Sequence, residues 1–491
     1  MIMKIKSFIF LGLLCLSFSL VAQNEVDVLR YSMLDWHGIS GRSAGMAGSF
    51  GALGADLSSM SINPAGIGLY RRSDFGISLG VSGMNATATY QDQQNRNLAL
   101  DAGIHSIGYV SSNPINHPDW ERVNFGVGFN RLASFKEEIT IKGSLGDQTL
   151  LNQFVNQVSG SAWDEINQAF PYDAALAWET FLINPADTLD NGNYNHVITG
   201  GGVDQEQVIE RSGSLAETVV SGGANYRNRL YFGASLAFPR INYQEKSTYR
   251  ETTIDDQQEL DHFIFAEEYT VNGRGFNLKG GVIFRATDWL RIGVSGQTPT
   301  WFSLTESFSR EMTAVFKGES PYRESTDIIA NYYKVRTPMR LTGSMSFVMG
   351  KAGVINADYE YLDYSTGELG NTRNVLSNYD YSVENLTVAT IYRPTHNVRV
   401  GSEIRITKPF RIRAGIGYQQ SPFAEGVTTS NGNIITYAGG VGYRGKYFYA
   451  DVSYTHKTET ADYFIFNPEN TSGSKIDTTT GQVLLSCGFR F

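Results

Sequence analysis

From Ser73 to Phe491 the chain reads as a succession of apolar–polar alternations whose connections segregate by length. Period-two patterning predicts strands at 73–90, 101–112, 121–142, 213–226, 228–249, 262–285, 288–315, 328–350, 351–366, 394–407, 409–422, 432–445, 446–460 and 478–491. Every second connection is short, as at Tyr226-Arg227-Asn228, Ala286-Thr287-Asp288, Gly350-Lys351 and Lys408-Pro409. The others are longer, and the longest runs over 143–212. Short turns at one rim, long loops at the other and an even strand number are what a closed barrel in a membrane requires. A soluble sandwich has no reason to separate them so strictly. The expected fold is all-β: a 14-stranded antiparallel transmembrane β-barrel over 73–491, with 143–212 as a long extracellular loop.

Composition agrees. Tyr 27, Phe 28 and Gly 51 against Pro 13 favour strands over helices. A mean hydropathy of −0.23 disfavours a bundle of membrane helices, but not a barrel, in which alternate residues alone face lipid. A formal charge of −9, with no run of Lys or Arg, argues against nucleic acid as a partner.

Residues 1–22 read as a secretory signal: Lys4 and Lys6, a short apolar run from Phe8 to Val21, and cleavage near Ala22-Gln23. Cys15 lies inside it, which leaves Cys487 alone and excludes an intrachain disulfide in the mature chain. Residues 23–37 form a polar lead-in without a strong period. The stretch after it, Gly38 to Arg71, carries Gly41, Gly45, Gly48, Gly51 and Gly54 and then Asn63-Pro64-Ala65. Glycines three or four apart let backbone pack closely in a confined space. We read 23–72 as a plug inside the barrel, with Asn63, Pro64 and Ala65 as its turn; an ordinary surface turn is the alternative reading of that tripeptide.

Alternation in the C-terminal half sorts the faces. Phe410, Ile412, Ala414, Ile416 and Tyr418 oppose Arg411 and Arg413; Val398, Val400 and Ile404 oppose Arg399, Glu403 and Arg405; Ile355, Ala357, Tyr359 and Tyr361 oppose Asp358 and Glu360. Turning such arginines toward lipid would cost roughly 2–4 kcal/mol each at the midplane. The charged set is therefore expected in the lumen. It serves there either as a network holding plug to wall or, in part, as a seat for an anionic ligand head.

The longest loop carries helical spacing. Leu151, Phe154, Val155 and Val158 form one face, continued by Trp163, Ile166 and Phe170, and Trp178, Phe181 and Leu182 belong to a second helix ending at Asn184-Pro185. These residues either pack on one another as a cap or offer a hydrophobic groove, in which Phe154, Trp163, Phe170, Trp178, Phe181 and Leu182 are the candidate ligand contacts.

No enzyme is apparent. Gly41-Arg42-Ser43-Ala44-Gly45 matches G-x-S-x-G, but the continuing glycines make the helix that motif needs improbable. The histidines His37, His105, His117, His196, His262, His396 and His456 lack metal-ligand spacing. Asp187, Asp190, Asn191 and Asn193 miss the EF-hand pattern. Neither a metal nor another cofactor is expected.

Taken together, the export signal, the Gly-rich segment GRSAGMAGSFGALGADLSSMSINPA (41–65), about fourteen strands and the terminal Phe491 resemble the FadL/OmpP1/TodX family of outer-membrane transporters. The style of the chain is similar to the Bacteroidetes-type branch. The resemblance implies a hatch at Asn63-Pro64-Ala65 and a kinked third strand opening a lateral gate. We place that gate at Gly126, Gly128 and Asn130, because glycine in a strand marks a bend. The resemblance also implies passive, hatch-gated diffusion of long-chain fatty acids or aromatic hydrocarbons through the outer membrane of a Gram-negative bacterium. Expected partners are a hydrophobic small molecule, outer-membrane lipid and, through Phe491, the barrel-assembly machinery. The alternative is a FadL-like barrel acting as an accessory or shuttle component of type IX protein secretion.

Overall fold

A computed structural model describes residues 26–35, 39–146, 148–187, 192–372, 379–427, 432–465 and 473–491. The predicted signal over 1–22 lies outside the described residues, as do His37, Asp190 and Asn191.

Fourteen antiparallel strands form one closed wall. They are β1 (Asp74–Tyr90), β2 (Gln93–Pro114), β3 (Trp120–Ser134, resuming as Glu137–Leu145), β4 (Val203–Tyr226), β5 (Leu230–Thr253), β6 (Leu260–Arg285) and β7 (Leu290–Gln297, resuming as Trp301–Phe316). The circuit continues through β8 (Ile329–Arg336 and Arg340–Val348), β9 (Gly353–Asp363), β10 (Pro394–Arg405), β11 (Phe410–Gln419), β12 (Ile434–Arg444), β13 (Phe448–Tyr463) and β14 (Ser474–Arg490). Each pairs with its sequence neighbour, and β14 closes on β1 from Asp74↔Arg490 to Thr89↔Lys475. An Arg490–Asp74 ion pair at 2.8 Å and reciprocal backbone bonds between Ser73 and Phe491 at 3.1 Å fasten that join.

The outward positions carry an apolar belt: Val81, Phe125, Val294, Ile416 and Leu485 are each about half exposed or more. Patches of that extent are not tolerated in water and require lipid around the wall.

Three boundaries differ from the sequence reading. The first connection is a tight turn at Gln91 and Asp92, both at positive φ, and not a longer loop, because β2 begins at Gln93. β4 likewise begins at Val203, which shortens the longest loop. In both segments the local pattern hides the strand: 93–97 is polar throughout, and 203–207 sets Gln205 and Gln207 against Asp204 and Glu206. In the loop, α-helices form at Leu150–Val158, Ile166–Ala169 and Ala174–Glu179. The last stops short of the expected Asn184-Pro185, since Phe181 takes φ 61 and Ile183–Pro185 pairs with Tyr194–His196 instead.

Candidate functional site

The lumen is filled by the chain's own N-terminal stretch. Residues 41–68 touch all fourteen strands. Gly41 meets Asp451 and Ser486; Gly45 meets Arg413 and Gly440; Met46 lies on Gly401 and Gly415. The Ser49 hydroxyl donates to the Asn356 carbonyl at 3.0 Å, and the amides of Phe50 and Gly51 donate to the Asp358 carboxylate at 2.8 and 3.1 Å. Gly51 lies against Ser344 and Ala52 against Gly293. Met60 fits under Gly128, Leu57 against Gly76 and Gly108, and Gly68 against Ala224.

Asn63 organises the far side of this segment. Its Oδ1 accepts from the Ala65 amide at 3.1 Å, capping a 3-10 helix over Pro64–Leu69, and its Nδ2 donates to the Gly51 carbonyl at 2.6 Å. Pro64 at the first helical position loses no backbone donor that the turn could use. The wall makes room with glycine: a Cβ on Gly281 would lie 2.0 Å from Asn63 Oδ1, and one on Gly233 2.1 Å from the Pro64 carbonyl oxygen. The tripeptide is buried against β5 and β6, so it is not a surface turn.

A short helix does form at Gly41–Ala44, contrary to expectation, because Ser40 and Ser43 build a reciprocal capping box. Ser43 is wholly buried and spends its hydroxyl on that cap, which is the opposite of an exposed nucleophile.

The lumen charges divide into two networks. Glu403 joins Arg42 of the N-terminal stretch at 3.0 Å to Arg413 at 2.7 Å, and Arg413 reaches Asp451 at 2.8 Å. Glu360 accepts from Arg340 at 2.6 Å and from Asn397 at 3.0 Å, with Arg399 at 3.5 Å. Asp358, Glu360, Arg399, Glu403 and Arg413 are buried and Arg411 partly so, whereas Arg405 is exposed at the short-turn rim. A third pair, Lys279 and Glu217, was not singled out from the sequence. Glu217 also accepts from Ser61 at 2.6 Å, and Ser61 accepts from Asn130 at 2.7 Å.

Residues 26–35, within the lead-in that shows no strong period, contain a helix at Val26–Arg30. Val28, Leu29, Tyr31 and Leu34 are buried with Tyr243, Phe302 and Tyr333 of the wall. Arg30 lies 4.1 Å above the Tyr243 ring and bonds Asp27 at 2.6 Å; burial pushes the Asp27 carboxyl above its ordinary range, against the pull of Arg30 and the Tyr333 hydroxyl. The helix exists because the wall buries it, which short-range periodicity does not report.

The ladder between β2 and β3 stops at Ser106↔Asn130. Above it β2 stays paired with β1, while β3 stays paired with β4 and turns inward. There Ile139 and Ile141 pack on Ala86, Ala88, Tyr90 and Ile476. The wall thus carries a seam beside the exposed Leu98, Leu100 and Ile104. Side chains bridge it: Arg131 to Asp101 at 2.6 Å, Ser134 to Asp101 at 2.7 Å, and Asn97 to Glu138 at 2.9 Å. Behind it, the Asp35 amide donates to the Leu132 carbonyl at 2.7 Å. Tyr31, Leu132, Leu215 and Phe302, with the polar Asn277, Thr300 and Arg340, line a cavity there with room for little more than water.

The candidate gate therefore shifts. Gly126 and Gly128 lie in the fully paired part of β3, where they admit Met60, and Asn130 is the last paired residue. The break follows it, at Arg131 to Lys136. Its signal was present: Arg131 and Glu137 continue the lipid-facing register of Phe125, Val127 and Phe129, a phase no lipid would accept.

The six loop residues are not brought into one groove. Phe154 and Leu182 are buried in the cap core, with Phe170 and Trp178 packed against it, while Trp163 and Phe181 are half exposed. Among the described residues no cluster of His, Cys, Asp and Glu has metal-site geometry.

Solved membrane barrels share this closed fold. The chain matches the toluene transporter TodX of Pseudomonas putida (12% identity, 93% of this chain and 99% of that chain, TM-score 0.55). It also matches a FadL homologue of Pseudomonas aeruginosa (13%, 92% and 98%, 0.54) and the CymD monoaromatic hydrocarbon channel (14%, 94% and 99%, 0.51). No family model and no curated protein matches. The fold is that of the FadL/TodX barrels.

Proposed function

We propose that the protein carries small hydrophobic molecules across the outer membrane of a Gram-negative bacterium by passive diffusion, with 39–70 as the hatch and the β2–β3 seam as the lateral exit. The observation that carries this reading is the end of the β2–β3 ladder at the apolar belt, directly before a small cavity that Leu132 and Leu215 border on the seam side. Structurally similar barrels named for toluene, monoaromatic hydrocarbons and FadL support it. Past Leu132 and Leu215 an apolar solute enters lipid without a desolvation cost, whereas a polar solute would have to shed its water. The cavity is too small for toluene as it stands, so uptake requires Tyr31 to Asp35 to withdraw from it.

The test is uptake of radiolabelled toluene and oleate by cells carrying Leu132→Trp/Leu215→Trp, which fills the passage behind the seam. Uptake of at least one solute should fall about tenfold at equal surface abundance, the equivalent of about 1.4 kcal/mol on the barrier. Unchanged uptake of both would refute the lateral route.

A further inference from the structure

The short-turn mouth of the lumen has a property that transport of an apolar solute does not use. In a chain of net charge −9, it is lined by arginines. Arg285 lies two residues beyond the buried Ile283, Arg291 two before Gly293, Arg405 two beyond Glu403, Arg411 two before Arg413, and Arg444 two beyond Gly442. All five thus share the lumen-facing register of their strands. Arg71 joins them from the end of the hatch segment, and Arg42 lies within electrostatic reach of both halves of the ring.

Near this mouth Asp288 pairs with Arg285 at 2.9 Å and Glu121 makes no ion pair among the described residues, while the carboxylates beside Arg42 are already committed. Glu403 and Asp451 are shared among Arg42, Arg411, Arg413 and Arg444, and Asp56 accepts from Ser40 at 2.7 Å and from the Ser58 amide at 3.0 Å. Arg291 reaches the Leu53 carbonyl at 3.3 Å. Arg71, Arg291 and Arg405 make no ion pair among the described residues. Cations held this close repel one another, and the arrangement gains stability from a multivalent anion placed between them.

We propose that this mouth is a docking site for an acidic polypeptide segment of a soluble partner on the short-turn side. The direction of the arginines selects polypeptide over bilayer. The outer circumference at this rim carries aromatic residues such as Trp289, Tyr443, Tyr447 and Phe491, which suit a lipid interface. Arg291 instead reaches back over the hatch segment to the Leu53 carbonyl, and Arg42 and Arg71 belong to that segment, inside a circle of strands that surrounding headgroups do not enter. An extended acidic segment presents carboxylates at intervals that guanidinium groups pair with directly.

The test uses the full-length protein in neutral-lipid nanodiscs and a fluorescein-labelled decaglutamate, with decaglutamine as the uncharged control, read by anisotropy. Decaglutamate should bind saturably and decaglutamine should not. Affinity should fall at least about tenfold in Arg71→Gln/Arg291→Gln/Arg405→Gln, and again on raising salt from about 50 to about 500 mM. Lys142→Gln/Lys246→Gln/Lys317→Gln, on the long-loop side, should leave it unchanged. Equal weakening by the two triple variants, or binding of decaglutamine, would overturn the proposal. So would loss of peptide binding in phosphatidylglycerol nanodiscs, since lipid headgroups would then occupy the site. Should the triple variant not insert, Arg405→Gln at its exposed position and the salt titration of the unmodified protein give the same readout.

Discussion

Replacing Asn63 by alanine isolates the contribution of one side chain to the seating of the hatch. Two buried bonds disappear: the cap on the Ala65 amide and the donation to the Gly51 carbonyl. Loss of a cap costs about 0.5–2 kcal/mol, and a buried carbonyl left without its donor about 1–3 kcal/mol. Because the wall faces the Gly51 carbonyl with Gly293, whose Cβ would lie 2.7 Å from it, no side chain there can supply a replacement donor. The sum, about 1.5–5 kcal/mol, falls on the segment from 49 to 66 and not on the barrel ladder. At 1.4 kcal/mol per decade it raises the open population of that segment about 10- to 4000-fold. Hydrogen–deuterium exchange read by mass spectrometry on peptides spanning 49–66 should speed up by that factor. Peptides from β10 to β14 should be unaffected, and the protein should still insert at normal abundance. Asn63→Ser keeps the cap acceptor but is too short to reach Gly51, so it should give roughly half the effect on a logarithmic scale. Unchanged exchange at Gly51 to Ala65 in Asn63→Ala would refute the reasoning, as would equal acceleration in the wall.

Lys279→Met leaves Glu217 buried without its cation and should destabilise the folded barrel by about 3–5 kcal/mol in urea unfolding; the additional Glu217→Gln change should recover part of that loss, and an unaltered unfolding midpoint would rule out the pair as an anchor. Deleting Phe491 removes both backbone bonds to Ser73 and the ring stacked on Tyr109 at 6.2 Å. Surface levels should drop, and normal insertion would show that the terminal residue is dispensable for assembly.

The wall was legible in the sequence because a barrel strand is read locally. In β11, Phe410, Ile412 and Ile416 must face lipid and Arg413 must not, and two residues of separation decide it. The same rule drew the short-turn rim and put Asp358, Glu360, Arg399 and Glu403 inside. It failed where its cause is missing: 93–97 is polar throughout, and at 203–207 the buried Gln205 and Gln207 stand opposite Asp204 and Glu206, so polar residues lie on both faces. The glycine stretch announced tight packing, and Asn63-Pro64-Ala65 a turn, from residue type alone.

What tertiary structure decided were the partners. Gly126 and Gly128 signalled close approach, but only the closed wall shows that Met60 is what approaches, and that the break lies beyond Asn130. Residues 26–35 became structure because a circle of strands buries Val28, Leu29 and Tyr31, which no local period encodes. The seam, the Lys279–Glu217 pair and the arginine ring each join residues tens to hundreds of positions apart. Strand identity follows from the solvent on each face, a property of neighbours in sequence; site geometry follows from closure, which brings distant strands around one lumen.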